Sequence, residues 1–219
     1  MIVNARGFVL SRRPAGEYDR IATLYTEDLG KITARFVGVS RPAGKLKALS
    51  EPAVWGEYRL HLSARADLAK CVGGSLIASF PGTRGDLARL TAALYCAELL
   101  ERLTAERAPG PEKYRLMAAV LAALEEHPSR WLSLAFGLRL LDMAGFSLRE
   151  RAPGSCARVW SALHEREPAG LTELAFDRNA AADARQALEA HIEEQTGRPI
   201  LTARFREALR TAKPRAAPA

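Results

Sequence analysis

The feature that most constrains the fold of this 219-residue chain is a change of sequence pattern near residue 80. Residues 1–80 hold eight of the sixteen glycines, together with short stretches in which apolar and polar residues alternate. Ile32, Ala34 and Phe36 alternate with polar neighbours, and residues 55–62 show the same period of two, which is typical of half-buried strands. The remainder is rich in Ala, Leu, Glu and Arg, which favour helices. The pattern predicts strands first and helices after.

Turn signals divide the first region into about five strands, which suit a small closed barrel because closure leaves no exposed edge. We therefore expect an α+β protein with a barrel over residues 1–80 and a helical domain over 81–219, divided at Pro81-Gly82. The strands are expected at 2–10, 21–26, 31–36, 55–62 and 71–80.

Helical spacing of apolar residues and capping signals predict five helices in the second region. They are expected at about 86–104, 111–127, 129–144, 179–196 and 202–211. The third is apolar on nearly every side, which predicts the central helix of a bundle. Residues 146–177 lack a sustained period and contain Pro153-Gly154 and Pro168-Ala169-Gly170, so we expect an irregular insertion there.

Composition places the chain among folded proteins and excludes a disordered or fibrous one. No apolar run approaches the ~20 residues that span a bilayer, and the N-terminus lacks the layout of a signal peptide, which favours a cytoplasmic protein. Cys71, Cys96 and Cys156 form no Cys-x-x-Cys pair, so reduced thiols are expected.

No catalytic motif is present in the sequence. The four histidines are scattered, and there is no His-Glu-x-x-His, Gly-x-Ser-x-Gly or phosphate-loop motif. An active site assembled in space remains an alternative, but the sequence favours a protein that is not an enzyme and has no cofactor.

Basic residues are concentrated in the first region. The net charge is +7, and residues 1–80 hold 12 basic against 7 acidic side chains. Such cations can hold a phosphate backbone without reading bases, although they can also be ordinary surface charges. Among the aromatic residues, Phe36 and Tyr58 are expected in the core, and alternation favours Trp55 as the exposed ring. The candidate phosphate contacts are Arg12, Arg13, Arg20, Lys31, Arg35, Arg41, Lys45 and Lys47.

Arg139 interrupts the apolar third helix. It can pair with Asp142, three residues on, or remain available for a carboxylate of a partner. Cys71, Cys96 and Met143 are more simply explained as core residues than as ligands.

Three stretches stand out as a set. The first comprises Gly7-Phe-Val-Leu, Gly16-Glu17-Tyr-Asp19-Arg20 with the residues up to Lys31, and Gly38-Val-Ser-Arg41. The second is Phe136-Gly-Leu-Arg139-Leu-Leu141-Asp-Met-Ala-Gly145, and the third is Gly197-Arg-Pro-Ile-Leu-Thr-Ala-Arg204. Together they are similar to the RecO family of recombination mediators.

This resemblance implies an N-terminal oligonucleotide/oligosaccharide-binding (OB) fold and a C-terminal helical domain. It also implies DNA repair by binding single- and double-stranded DNA, annealing complementary strands, and working with RecR to load RecA. Engagement of the acidic C-terminal tail of single-stranded DNA-binding protein is implied too, and Arg139 flanked by Leu138 and Leu141 is the candidate tail site. The alternatives are an RNA-binding adaptor, which the same barrel chemistry would serve, and an uncharacterised hydrolase.

Many members of that family carry a four-cysteine zinc site after the Leu-Leu-x-x-x-Gly helix. Only Cys156 stands in the corresponding region here, and His164 cannot supply the missing ligands. We therefore expect a degenerate, cysteine-poor zinc-finger-like insertion without zinc, packed through Trp160, Leu163, Leu171 and Phe176.

Overall fold

A five-stranded closed barrel forms the N-terminal part of the structure, a computed structural model that describes residues 1–41, 44, 46–63, 66–148 and 154–211. The strands follow the order β1-β2-β3-β5-β4 around the barrel, and all pairs are antiparallel except the short β3–β5 pair. The expected barrel is confirmed. Its strands are β1 Ile2–Ala15, β2 Asp19–Thr26, β3 Gly30–Phe36, β4 Trp55–Ser63 and β5 Ala66–Ala78.

The barrel core contains the inward residues that alternation predicts. Leu24, Ile32, Phe36, Tyr58 and Leu60 are buried, and the Phe36 and Tyr58 rings meet edge to face with centroids 6.2 Å apart. Burial of such side chains contributes about 1.5–3 kcal/mol each. Two inward rings and several aliphatic side chains therefore fill the interior.

Strand β1 extends five residues beyond its predicted end. A bulge between Val9 and Ser11 shifts its register against β2, and pairing then continues to Ala15 opposite Asp19. The extension forms a hairpin that projects beyond the apolar core, so its sequence carries arginines instead of an apolar alternation. Hydrophobic period alone therefore could not predict it.

Seven α-helices follow the barrel in the part of the chain that the structure describes. Asp86 caps α2 by accepting hydrogen bonds from the backbone N–H groups of Ala88 and Arg89 at 2.8 and 2.9 Å. Helix α6 ends at Gly197, whose φ of 64° lies in the left-handed region that favours glycine. The helices are α1 Pro81–Gly85, α2 Leu87–Arg102, α3 Pro111–Glu126, α4 Leu132–Met143, α5 Gly154–Glu165, α6 Arg178–Thr196 and α7 Leu201–Thr211.

Helix α4 is the centre of the bundle, as its apolar sequence predicts. It packs against α2, α3, α5 and α6, and every residue from position 132 to 138 is buried. Gly137 lets α4 lie close to α2 and α6, because a Cβ there would lie 2.7 Å from Leu188 Cδ2 and 3.2 Å from Leu99 Cδ1.

The expectation of an irregular insertion at 146–177 is wrong, because this segment contains α5 and a 3₁₀ segment, Pro168–Glu173. Cys156, Val159, Trp160 and Leu163 follow a helical spacing and are buried. The helical spacing lasts for only three turns between Pro153-Gly154 and Pro168-Ala169-Gly170. Such a short run of apolar residues does not by itself indicate a helix. As expected, Trp160, Leu163 and Leu171 are buried.

The hydrophobic core of the helical bundle extends onto the outer side of the barrel, whose interior forms a second core. Phe8 and Tyr25 lie on the outer side of the barrel but belong to the core of the helical bundle. Phe8 stacks on Trp55 with ring centroids 5.6 Å apart and approaches Tyr114 of α3 at 5.0 Å. The two-domain division at residue 81 stays a prediction, because the two regions bury these side chains together.

The expectation that Trp55 is the exposed ring is wrong. Alternation correctly places Trp55 on the outer side of β4, but α3 covers that part of the barrel and leaves the indole half-buried. The period of a strand shows which residues face outward and does not show what covers them. In the part of the chain that the structure describes, no helix is long and apolar enough to cross a membrane.

Candidate nucleic-acid interface

Arg12 and Arg20 converge on Glu51 at one mouth of the barrel. Arg20 Nη1 lies 2.7 Å from Glu51 Oε1 and donates a 3.0 Å hydrogen bond to Ser50 Oγ. Arg12 Nε lies 3.1 Å from the other Glu51 oxygen. The Arg20 side chain is only 12% exposed and that of Arg12 is 35% exposed. Of these two predicted DNA contacts, Arg20 thus fixes the turn at Ser50, whereas Arg12 keeps part of its surface in solvent.

Lys31 joins the barrel to the end of α2. Its Nζ donates a 2.8 Å hydrogen bond to the carbonyl oxygen of Glu101 and lies 3.4 Å from the Glu106 carboxylate. A cation beside the last carbonyls of a helix is favoured by the helix dipole. Because its side chain is 12% exposed, Lys31 serves the contact between barrel and helices.

Asp19 organises the tip of the β1–β2 hairpin. It accepts hydrogen bonds from the backbone N–H of Gly38 at 2.7 Å and from Arg35 Nε at 2.8 Å. These bonds, the one from Gly38 above all, hold the pKa of Asp19 below its ordinary value. Arg35 is fixed by this carboxylate but keeps half of its side chain exposed.

An exposed aromatic ring lies beside these cations. Tyr18 is 39% exposed, and the Arg41 guanidinium lies 5.0 Å from the centre of its ring. Register places Arg13 and Arg35 on either side of Ile21 across β1, β2 and β3. We name as the hairpin surface the residues Arg13, Tyr18, Arg35, Arg41 and Lys47, all of which are exposed.

The structure thus brings together part of the predicted set. Lys45 lies outside the described residues. Sequence reasoning also missed exposed cations on other strands of the barrel: Arg6 on β1, Arg59 on β4 and Lys70 on β5. The alternating pattern of the strands could have indicated that these three cations face outward. The denser run of basic residues between positions 31 and 47 drew the prediction there instead.

Arg139 neither pairs with Asp142 nor faces open solvent. Its guanidinium Nη2 donates to the carbonyl oxygens of Leu163 at 3.1 Å and His164 at 3.3 Å, and to that of Arg166. These carbonyls terminate α5, where a helix leaves acceptors without intrahelical donors. The Asp142 carboxylate instead lies 3.4 Å from His164 Nδ1.

A recess of about 220 Å³ lies between α4 and α5. Leu138 and Leu141, the other two residues of the predicted tail site, line it together with Trp160 and Leu148. The indole N–H of Trp160 is buried and has no hydrogen-bond partner among the residues that the structure describes. The recess therefore has an apolar floor, and Asp142, Ser161, His164 and Glu165 also line it.

The described residues do not form a zinc site. No three His, Cys, Asp or Glu side chains among them are grouped as metal ligands, and Cys156 is buried in the bundle. A tetrahedral structural site needs four donors, which this single thiol cannot supply. Helix α5 and the 3₁₀ segment that follows it are held by packing, by Arg139 and by Trp131. The Trp131 indole N–H donates a 2.9 Å hydrogen bond to the Leu174 carbonyl.

These features define a class: an OB-type barrel with a basic outer surface, joined to a helical bundle. Residues 1–80 match the family described as "Recombination protein O N terminal", and residues 84–163 match "Recombination protein O C terminal". The chain belongs to the RecO family of DNA repair proteins.

Several DNA repair proteins RecO are similar to the chain. That of Anaeromyxobacter dehalogenans (strain 2CP-C) is 29% identical over 93% of this chain and 95% of its own length. That of Pelotomaculum thermopropionicum is 32% identical over 66% of this chain and 56% of its own length. That of Bacillus subtilis (strain 168) is 32% identical over 58% and 49%. The chain thus matches only about half the length of the last two relatives.

Proposed function

We propose that this RecO-family protein is a non-enzymatic recombination mediator that binds single- and double-stranded DNA through the hairpin surface. In this function it anneals complementary strands in the cytoplasm and, with RecR, helps to load RecA onto DNA coated with single-stranded DNA-binding protein. The observation that carries the proposal is the group of exposed cations around the exposed ring of Tyr18.

The chemistry of the hairpin surface fits a nucleic-acid backbone. Arg13, Arg41 and Lys47 have no carboxylate within ion-pair distance among the described residues, so their charges can displace counterions from phosphates. The ring of Tyr18 can stack on an unpaired base while Arg41 stays beside it. We do not include Arg20 and Lys31 among the proposed principal contacts, because internal partners hold them.

Charge reversal tests the hairpin surface. In the Arg13→Glu/Arg41→Glu variant we expect weaker binding of a labelled single-stranded oligonucleotide, and a slope of log affinity against log salt smaller by about 2. Arg158→Glu/Arg178→Glu is the matched control, because it makes the same change of charge at exposed residues of α5 and α6. Equal slopes in the two variants would remove the hairpin surface from the binding site.

We also propose that the recess between α4 and α5 holds the acidic tail of single-stranded DNA-binding protein. Leu138 and Leu141 offer an apolar floor for the apolar end of the tail. Arg139 lies beside this floor, but its guanidinium is hydrogen-bonded to carbonyls of α5. Its main role is therefore to hold α5 against α4. Binding a tail and a DNA strand together would recruit the protein to coated DNA by raising the effective concentration.

Filling the recess tests this site without disturbing Arg139. Ala157 is exposed and lines the recess, so Ala157→Trp should reduce the affinity for a tail peptide about tenfold or more by occupying the apolar space. The control is Ala182→Trp at an exposed position of α6. Full affinity in a folded Ala157→Trp protein would exclude the recess.

The competing function is that of an RNA-binding adaptor, because stacking and phosphate contacts serve RNA as well. Competition between RNA and DNA oligonucleotides of one sequence separates the two. We expect DNA to displace RNA; preferential retention of RNA would favour the adaptor.

A further inference from the structure

Helices cover only part of the outer surface of the barrel. Phe8 and Trp55 face α3, which leaves Phe8 buried and Trp55 half-buried. Beyond this contact, outward side chains of β4 and β5 are exposed to solvent, and Arg59 and Lys70 are among them. The hairpin surface does not include these two cations.

Strand pairing connects Lys70 to the hairpin surface through one lateral row of residues. Each member is paired directly with the next on the neighbouring strand, so their side chains lie on the same, outer face of the barrel. Strands lie about 4.8 Å apart, so the row spans roughly 19 Å from its first member to its last. Because Arg35 and Lys70 are direct neighbours, the hairpin surface continues onto β5 without a break. The members are Arg13 of β1, Ile21 of β2, Arg35 of β3, Lys70 of β5 and His61 of β4.

Arg59 lies just beyond the end of this row. It precedes His61 by two residues on β4, so both side chains point to the outer face. Arg59 is paired with Gly73 of β5, and its guanidinium lies against that strand, with Cζ 3.8 Å from where a Cβ of the glycine would be. The preceding outward residue of β4 is Glu57, which is exposed. A carboxylate repels phosphates, so the basic surface ends at Arg59.

Most of these cations have charges that no internal partner neutralises. No carboxylate among the described residues lies within ion-pair distance of Arg13, Arg59 or Lys70. Arg35 is held by Asp19, with Nη2 2.6 Å from a carboxylate oxygen, and keeps half of its side chain exposed. The unpaired, exposed charges can displace counterions from phosphates.

Exposed aliphatic side chains accompany the cations. Val37 follows Arg35 by two residues, Val72 follows Lys70 by two residues, and both valines are exposed. Unpaired bases turned towards the barrel can rest on these side chains while their phosphates contact the cations. A duplex keeps its bases paired and stacked inside, so this combination fits a single strand better.

We infer that a single strand held at the hairpin surface continues across the barrel along this row, over Arg35 and Lys70 to Arg59. The inference rests on the proposed function and adds to it the course of the bound strand, which crosses the β-strands instead of following the hairpin. Phosphate contacts through Lys70 and Arg59 carry no sequence preference. The site therefore takes up more nucleotides than the hairpin surface alone.

Oligonucleotide length tests the course of the strand. Fluorescence anisotropy of the full chain is measured with oligothymidylates of about 5 and about 15 nucleotides, which bracket the site sizes of such barrels. Arg59→Glu/Lys70→Glu should bind the short oligonucleotide within about twofold of the unmodified chain, because the hairpin surface alone holds it, and the long one about tenfold more weakly. The slope of log affinity against log salt should become smaller by about 1–2 for the long oligonucleotide only.

Two further variants make this comparison secure. Arg158→Glu/Arg178→Glu is again the matched control and should leave both affinities unchanged. Arg59→Gln/Lys70→Gln replaces the charge reversal if that variant does not fold. It should lower the salt slope for the long oligonucleotide in the same way, with a smaller loss of affinity, because it removes two cations without adding two anions.

The outcomes distinguish this inference from the function on which it rests. If Arg13→Glu/Arg41→Glu weakens binding of both lengths while Arg59→Glu/Lys70→Glu binds the long oligonucleotide as well as the control does, the hairpin surface stands and the strand does not cross β5. Equal weakening of both lengths by Arg59→Glu/Lys70→Glu would centre the site on β4 and β5 and would also overturn the inference. If Arg13→Glu/Arg41→Glu has no effect on either length, the proposed hairpin surface fails, and the inference fails with it.

Discussion

The indole N–H of Trp55 donates a 2.9 Å hydrogen bond to the hydroxyl of Tyr114, and this bond joins the outer side of the barrel to α3. Phe8 packs against both rings, so three aromatic side chains form the centre of the contact. Tyr25 adds a hydrogen bond from its hydroxyl to the Gly110 carbonyl at 3.3 Å. The position of the barrel on the bundle, and hence of the hairpin surface relative to the recess, depends on this contact.

Removing the hydrogen bond between Trp55 and Tyr114 should destabilise the protein, and the effects of changing the two residues should not be additive. Trp55→Phe keeps a ring beside Phe8 but leaves the Tyr114 hydroxyl without its donor, at a cost of about 1 kcal/mol in the free energy of unfolding. Tyr114→Phe should cost a similar amount. The double variant should cost less than the sum of the two, because both remove the same bond. Urea unfolding measures all three, and strictly additive losses would contradict the coupling.

Glu98 should stabilise the start of α7 in a pH-dependent way. Its carboxylate accepts from the backbone N–H groups of Leu201 and Thr202, each at 2.8 Å, and lies 2.5 Å from Arg102 Nη2. Burial alone would raise the pKa of Glu98, but the hydrogen bonds from Thr202 and Leu201, with the charge of Arg102, outweigh it and lower the pKa. A lowered pKa in the folded state means stability that is present near neutral pH and lost on acidification.

Glu98→Gln should therefore lower the free energy of unfolding by about 1 kcal/mol at neutral pH, as loss of a helix cap does. The difference from the unmodified protein should shrink on acidification, because the unmodified carboxylate then also becomes protonated. Urea unfolding at a series of pH values measures this. Glu126→Gln, at an exposed position of α3, is the control. A difference that stays constant down to low pH would show that the charge of Glu98 is not what stabilises α7.

Arg139 should be required for the stability of α5. Its guanidinium Nη2 bonds carbonyls at the end of that helix, and the ammonium of a Lys ends one bond short of that nitrogen. Arg139→Lys should therefore increase hydrogen exchange of the α5 amides and lower the free energy of unfolding by about 1–3 kcal/mol. Arg166→Lys is the comparison, since its side chain lies in the same region but is half exposed. Unchanged exchange in α5 would mean that packing through Trp160 and Leu163 is sufficient.

Local pattern predicted most of the elements, and distant partners account for what it missed. The period of two placed Phe36 and Tyr58 in the barrel core, where they are buried. The acceptor of Lys31 is Glu101, 70 residues away, and the ion-pair partner of Arg20 is Glu51, 31 residues away. Neither partner is visible in a strand period. The sequence therefore predicted a basic barrel, but could not show which of its cations are held by internal partners.

Asp19 should weaken DNA binding at the hairpin surface while it fixes the loop. Its charge lies 2.6 Å from Arg35 Nη2 and offsets part of the positive potential that Arg35 and Arg41 present to a phosphate. Asp19→Asn keeps an oxygen that can accept from the Gly38 N–H, so the hairpin should retain its shape. We expect single-strand affinity to rise about two- to fivefold at low salt, the effect of removing one charge near the surface, and the gain to shrink as salt screens it. Asp183→Asn at an exposed position of α6 should leave affinity unchanged. Fluorescence anisotropy of a labelled single-stranded oligonucleotide across a salt series measures this affinity. Weaker binding by Asp19→Asn would show that Asp19 affects binding more by fixing the hairpin than by its charge.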